Sequence, residues 1–226
     1  MHGYLAGDTE NGGFSADQNP MLSIGLVLFD EEGTIKDDLY IRCLPPDNSV
    51  MELPDNLIVD NLKYVNVHTG EFSEASNGAL LITAGAVGVN KYVDLHKLKK
   101  GEWLTPAWHI GAVDYVEMSK QVDDFLREHD VETFTSVWHN VSYDTRFLGK
   151  YLKSEYDWSD MFCTMKALRK YNKINGLKGY ALGDLRKMAG VEVHDTKKEH
   201  TALQDAYDAY HGYLKLRELG IDDSKD

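Results

Sequence analysis

Extended and helical hydrophobic patterns alternate along the chain in an order that already suggests an architecture. Positions 3–9, 22–29 (LSIGLVLF) and 35–43 are β-prone, and the second and third runs are joined by DEEGT, a turn composition, so they predict an antiparallel hairpin. Residues 45–110 hold four of the five prolines and short β-prone runs at 64–67, 80–83 and 91–95, which predicts an elaborated insertion with little helix. The pattern then changes. Val113, Val116, Met118, Val122, Phe125 and Leu126 approximate helical spacing and lead into TFTSVW, a short buried strand. SYDTRFLGKYLK reads as a helix with Phe147, Leu148, Tyr151 and Leu152 on one face, followed by a strand at about 160–163 and helices near 165–171 and 182–189. In the last helix Ala202, Ala206, Ala209, Tyr213 and Leu216 recur at steps of four and three, a stripe small enough to approach a sheet closely. This order predicts an α/β fold, a mixed sheet flanked by helices.

Composition narrows the class. The 226 residues suit a single domain, 1–226, with an insertion at about 45–110 and an acidic tail at 221–226 read as a solvated end. With 42% apolar and 11% aromatic residues the chain can bury a core, which excludes disorder throughout. The most apolar stretch, 79–89, is broken by glycines and falls short of the roughly 20 residues that span a bilayer. The start of the chain has neither the basic region nor the apolar core of a signal peptide, so no membrane association and a cytoplasmic location are expected. Cys43 and Cys163 form no zinc or disulfide spacing and are expected to be reduced, buried thiols. A net charge of −13 argues against nucleic-acid binding by bulk electrostatics. The charge is uneven, however. Residues 166–198 carry nine Lys or Arg against three acids, leaving that segment at +6 and the rest at −19.

Carboxylates occur where a packed domain has little use for them. In GDTENGG, Asp8 and Glu10 are two apart at the end of the first strand, so they would project side by side and repel without a cation; taken alone, the segment's composition favours a turn. Asp144 lies in WHNVSYDTRFL between a strand and a helix, where Ser142 is a candidate cap and the helix dipole favours a carboxylate; His139 and Asn140, a polar pair at the end of a buried strand, suit a site or local backbone satisfaction. In the last segment two capping boxes compete, Thr196 with Glu199 and Thr201 with Gln204. A helix already formed at His200 would place that residue roughly 140° from Asp205; a helix starting at Thr201 would let the two face one place.

Together, DxE on the first strand, HNxxYD at a strand-to-helix turn and HxAxxDA on the last helix resemble, in order and context, the DEDDh branch of the DnaQ-like exonucleases, within the ribonuclease-H-like superfamily. The likeness covers residues 3–43 and 115–217, and the compactness is similar to that of stand-alone or phage-encoded members. The related tyrosine branch would have Tyr at the position of Thr201. Gly7, Asn11, Tyr143 and Cys163 depart from the usual residues without removing a ligand. The resemblance implies a mixed five-stranded sheet and a 3′-5′ exonuclease that releases nucleoside monophosphates, with DNA favoured over RNA. It implies two Mg²⁺ or Mn²⁺ ions, with Asp8 bridging them, Glu10, Asp144 and Asp205 completing their shells, and His200 as general base. Asn11, Gly12, His139, Asn140 and Tyr143 are expected to contact substrate, and the basic Arg169, Lys170 and Lys173 to meet the incoming strand. Partners would be single-stranded nucleic acid or 3′ ends, with replication or repair proteins beyond them. A catalytically inactive nucleic-acid-binding or polymerase-associated module of the same fold and a metal-dependent phosphatase on small nucleotides are the alternatives.

Overall fold

The computed structural model describes residues 1–11, 15–17, 20–43, 112–191 and 201–223, together with the backbone of six short strands between residues 50 and 106. Strands β1 (His2–Asn11), β2 (Met21–Phe29) and β3 (Ile35–Arg42) form an antiparallel meander. The insertion contributes β4 (Val50–Glu52), β5 (Lys63–Asn66), β6 (Phe72–Glu74), β7 (Ala79–Ile82), β8 (Val89–Asn90) and β9 (Leu104–Pro106), paired as two three-stranded sheets in the orders β4-β7-β8 and β6-β5-β9. Two of the three β-prone runs expected there coincide with β5 and β7; the run at 91–95 lies outside the described residues. There follow α1 (Tyr115–Glu128), β10 (Thr133–Trp138), α2 (Val141–Tyr151), β11 (Met161–Cys163), α3 (Thr164–Asn175), α4 (Leu182–Ala189) and α5 (Ala202–Glu218). The central sheet has the order β11-β10-β1-β2-β3, with β10 parallel to both β1 and β11.

Every residue of β2 is buried because helices cover both faces of the sheet. On one face Leu5, Ile24, Leu26, Leu28 and Trp138 pack with Met118, Val122 and Leu126 of α1 and Phe147 of α2. On the other, Ala6, Val27, Phe29 and Val137 meet Ala206, Tyr210 and Tyr213 of α5. Gly7, where an apolar side chain was expected, faces the first layer. A Cβ there would stand 2.5 Å from the Trp138 ring, so the missing side chain is the space the indole fills. Cys43 and Cys163 are buried and joined in no disulfide, as expected. At the start of the acidic tail the exposed Asp222 pairs with Lys170 at 2.7 Å and Asp223 accepts a hydrogen bond from the Cys163 amide at 2.8 Å, while residues 224–226 lie outside the described residues. Among the described residues no helix is long and apolar enough to cross a membrane.

Candidate metal centre

Strand β1 stays in register with β2 through Glu10, after which a bulge shifts the pairing to Asn11 with Met21, so the DTE segment is strand and not turn. Alternation sends Asp8 and Glu10 to the face Ala6 shares with α5. The start of α5 decides what they meet. Thr201 is its N-cap, its side chain accepting from the Gln204 amide at 3.2 Å, so Asp205 falls in the first helical turn; Thr196 and Glu199 lie outside the described residues. Helix α5 lies directly on the sheet at Gly25, the cross-strand partner of Asp8; a Cβ on Gly25 would be 2.3 Å from the Leu203 amide nitrogen. That close approach brings one carboxylate oxygen from each of Asp8, Glu10 and Asp205 within 4.8 Å of the others. Glu10 and Asp205 are buried and Asp8 is half-buried, so three negative charges share a space shielded from water. Hard oxygen donors at this spacing suit a divalent cation, which would relieve the repulsion.

Asp144 is placed differently from the other three. It sits in the first turn of α2, buried at 3% exposure, and its Oδ1 accepts from the Thr9 hydroxyl at 2.8 Å. Thr9, between Asp8 and Glu10, points to the opposite face, so Asp144 reaches the end of β1 from the α2 side and is not among the three converging carboxylates. Burial pushes its carboxyl up to about 7, against the Thr9 hydrogen bond that favours the anion. Asn11 is buried behind it and donates to Thr9 Oγ1 at 2.9 Å. Tyr143 adjoins the same place: burial raises its phenol to about 12, a hydrogen bond with Asn11 opposes this, and Asp144, Glu10 and Asp8 add to it.

The remaining expected residues are dispersed. His139 is half-buried with both ring nitrogens engaged, Nδ1 at 3.0 Å from Thr164 Oγ1 and Nε2 at 2.9 Å from the Tyr180 carbonyl. Burial lowers its pKa, and because a carbonyl only accepts, the neutral ring carries its proton on Nε2. It ties the β10–α2 turn to the loop before α4. Asn140, not Ser142, is the N-cap of α2, and the Ser142 hydroxyl donates to Asn140 Oδ1 at 3.1 Å. Of the basic stretch, Arg169 is exposed and lies over the Tyr180 ring at 4.1 Å, Lys170 pairs with Asp222, and Lys173 is exposed in the last turn of α3. Gly12 and His200 lie outside the described residues.

Sequence reasoning passed over Arg186. It was counted only in the net charge of residues 166–198, yet its side chain is 8% exposed on α4 and Nη2 donates to the buried Asp208 of α5. Nη2 also lies 3.9 Å from Asp205 Oδ1. Burial raises the Asp208 carboxyl and the guanidinium opposes that shift, while Asp208 raises Arg186 further above its ordinary value. The only advance signal was position: Arg186 follows Leu185 on an amphipathic helix, and Asp208 stands three residues beyond Asp205, off the small-residue stripe of α5.

No protein family matches this chain in sequence, and no curated protein does. Solved structures do. The zinc-bound complex of Escherichia coli exonuclease I with single-stranded DNA superposes with a TM-score of 0.61 over 97% of this chain and 41% of its own, at 12% identity. The fold is ribonuclease-H-like. A product-bound exonuclease I gives a TM-score of 0.58 over 96% of this chain and 44% of its own at 13% identity, and a complex of the E. coli enzyme with a dA16 oligonucleotide gives 0.58, 97%, 41% and 13%. The chain therefore spans less than half the length of these exonuclease I structures. At such identity the likeness establishes the mixed five-stranded sheet flanked by helices.

Proposed function

We propose that this protein is a metal-dependent 3′-5′ exonuclease acting on single-stranded nucleic acid, with DNA favoured over RNA. The convergence of Asp8, Glu10 and Asp205 within 4.8 Å at the end of β1 carries the reading, because a buried trio of carboxylates gains from a divalent ion what it costs without one. Structures of exonuclease I in complex with single-stranded DNA, one with a zinc ion, support it through the shared fold. Bound there, two Mg²⁺ or Mn²⁺ ions would supply an activated water and neutralise the departing 3′ oxygen.

The chain's own residues divide the remaining work. Asp8, Glu10 and Asp205 would hold the ions. Asp144, supported by Thr9 from the other face of β1, completes the acidic rim. His200, which immediately precedes the Thr201 cap, takes the proton from the attacking water as general base. His139 and Asn140 hold the turn that presents Tyr143 and Asp144. Arg169 and Lys173 supply positive charge for phosphates on an otherwise acidic molecule. Digesting 3′-labelled and 5′-labelled single-stranded DNA and RNA with and without Mg²⁺ tests the proposal. Immediate release of 3′ label as mononucleotide, only with metal, is expected. Activity confined to mononucleotide substrates would favour a phosphatase instead.

A further inference from the structure

A buried cation stands beside the proposed metal centre, and its placement needs a reason. Arg186 is fixed at physiological pH, so its charge is permanent, and it lies 3.9 Å from a carboxylate assigned to metal binding. A guanidinium bonded to Asp205 would satisfy that carboxylate and compete with any divalent ion. It does not close that gap, because Nη2 is committed to Asp208, which is 1% exposed and one helical turn further along α5. The anchorage is rigid. Helices α4 and α5 are in tight contact: a Cβ on Gly212 would fall 2.3 Å from Leu185, the residue next to Arg186. Neither helix can shift without disturbing that contact, which fixes the backbone positions from which the three side chains project. The Nε of Arg186 is buried with no hydrogen-bond partner among the described residues, which leaves the guanidinium a donor to spare if its hold on Asp208 is lost.

We propose that Asp208 is a positioning residue that holds the Arg186 guanidinium back from Asp205 and so keeps that carboxylate available to a divalent cation. The inference rests on the metal-site reading above. Its consequence has a definite sign. Removing the charge of Asp208 should let Arg186 capture Asp205 and weaken metal binding, and removing Arg186 as well should restore it. A purely structural ion pair would predict otherwise, since the double variant would be no better than the single one.

The test is a Mn²⁺ titration of chelator-stripped protein followed by thermal unfolding, comparing wild type, Asp208→Asn and Asp208→Asn/Arg186→Met. A charge-assisted bond to Asp205 corresponds to about a tenfold rise in the Mn²⁺ concentration giving half the maximal shift for Asp208→Asn, with the double variant back within about twofold of wild type. Equal midpoints for wild type and Asp208→Asn, or a double variant as weak as the single one, would overturn the proposal. Should Asp208→Asn fail to fold, Asp208→Ser takes its place: a raised midpoint restored by adding Arg186→Met supports the assignment, and a midpoint equal to wild type or left unrestored refutes it. A wild-type protein whose unfolding ignores Mn²⁺ altogether would refute the metal site itself, an outcome distinct from a wild type that responds beside variants that do not differ.

Discussion

Replacing Gly25 with alanine probes whether helix contact with the sheet builds the site. A Cβ at this position would stand 2.3 Å from the Leu203 nitrogen and 2.4 Å from the Ala202 carbonyl carbon, both backbone atoms that cannot rotate away. Ordinary contact between such atoms is about 3.5 Å, so the start of α5 must retreat by roughly 1.2 Å. Overpacking of this kind costs about 1 to 3 kcal/mol, and the upper end applies because backbone meets backbone. Asp205 lies in the turn that moves, while Asp8, paired with Gly25, stays with the sheet. A displacement of about 1 Å in catalytic groups lowers turnover by about 10²-fold. Urea unfolding should therefore show a loss of about 3 kcal/mol, and Mn²⁺ titration a weakened thermal shift, alongside the fall in turnover. Gly149→Ala is the control: it lies within α2 with open space around its Cβ and should stabilise by about 0.5 to 1 kcal/mol. If Gly25→Ala keeps wild-type stability and metal response, the contact between α5 and β2 does not set the site.

Further outcomes follow from individual groups. Burial raises the folded-state pKa of Asp144 to about 7, above its unfolded value, so its contribution to stability is present at acid pH and lost as pH rises from about 4 to about 7. Denaturation in chelator should show a decline of up to about 1.4 kcal/mol per pH unit in that window, flattened by Asp144→Asn; an unchanged slope in the variant would assign the titration elsewhere. His200→Ala should lower turnover by about 10² to 10⁴ with metal affinity retained and the defect smallest at alkaline pH. Loss of metal binding with a flat pH response would make His200 a ligand or structural residue. Arg169→Ala and Lys173→Ala should each raise KM and reduce the slope of log affinity against log salt by about 0.7, with Lys170→Ala, already paired to Asp222, having less effect. Salt curves identical to wild type would make these residues surface only.

The parts legible in the sequence were those governed by local periodicity. Two-residue alternation put Asp8 and Glu10 on one face, and the small-residue stripe of α5 announced its approach to the sheet. The order of strands and helices carried the mixed sheet flanked by helices, and the resemblance its five strands. What local pattern could not show was which neighbour each charge would find. Asp144 looked equivalent to the other carboxylates along the chain, but α2 covers the opposite face of β1, so Thr9 meets it first. The competing capping boxes were also undecidable from composition, since both contain the required residues; the packing of α5 at Gly25 selects Thr201. The basic segment read as one surface because charge counts ignore helix orientation. In the fold Arg186 turns inward to Asp208 while Arg169 turns out over Tyr180. Gly7 and Asn11, departures from the expected pattern, are explained by what fills the space beside them, the Trp138 ring and the Thr9 hydroxyl.

The most direct measurement follows degradation of 3′-labelled single-stranded DNA by purified wild-type protein and by Asp8→Ala, each with Mg²⁺ and with chelator. Asp8 is the half-buried member of the converging trio, so its loss removes a ligand while relieving charge repulsion, and the fold should survive. The account predicts release of labelled mononucleotide only by wild type with Mg²⁺, with the variant folded and inactive. Wild-type rates from a folded Asp8→Ala, or digestion that persists in chelator, would contradict it.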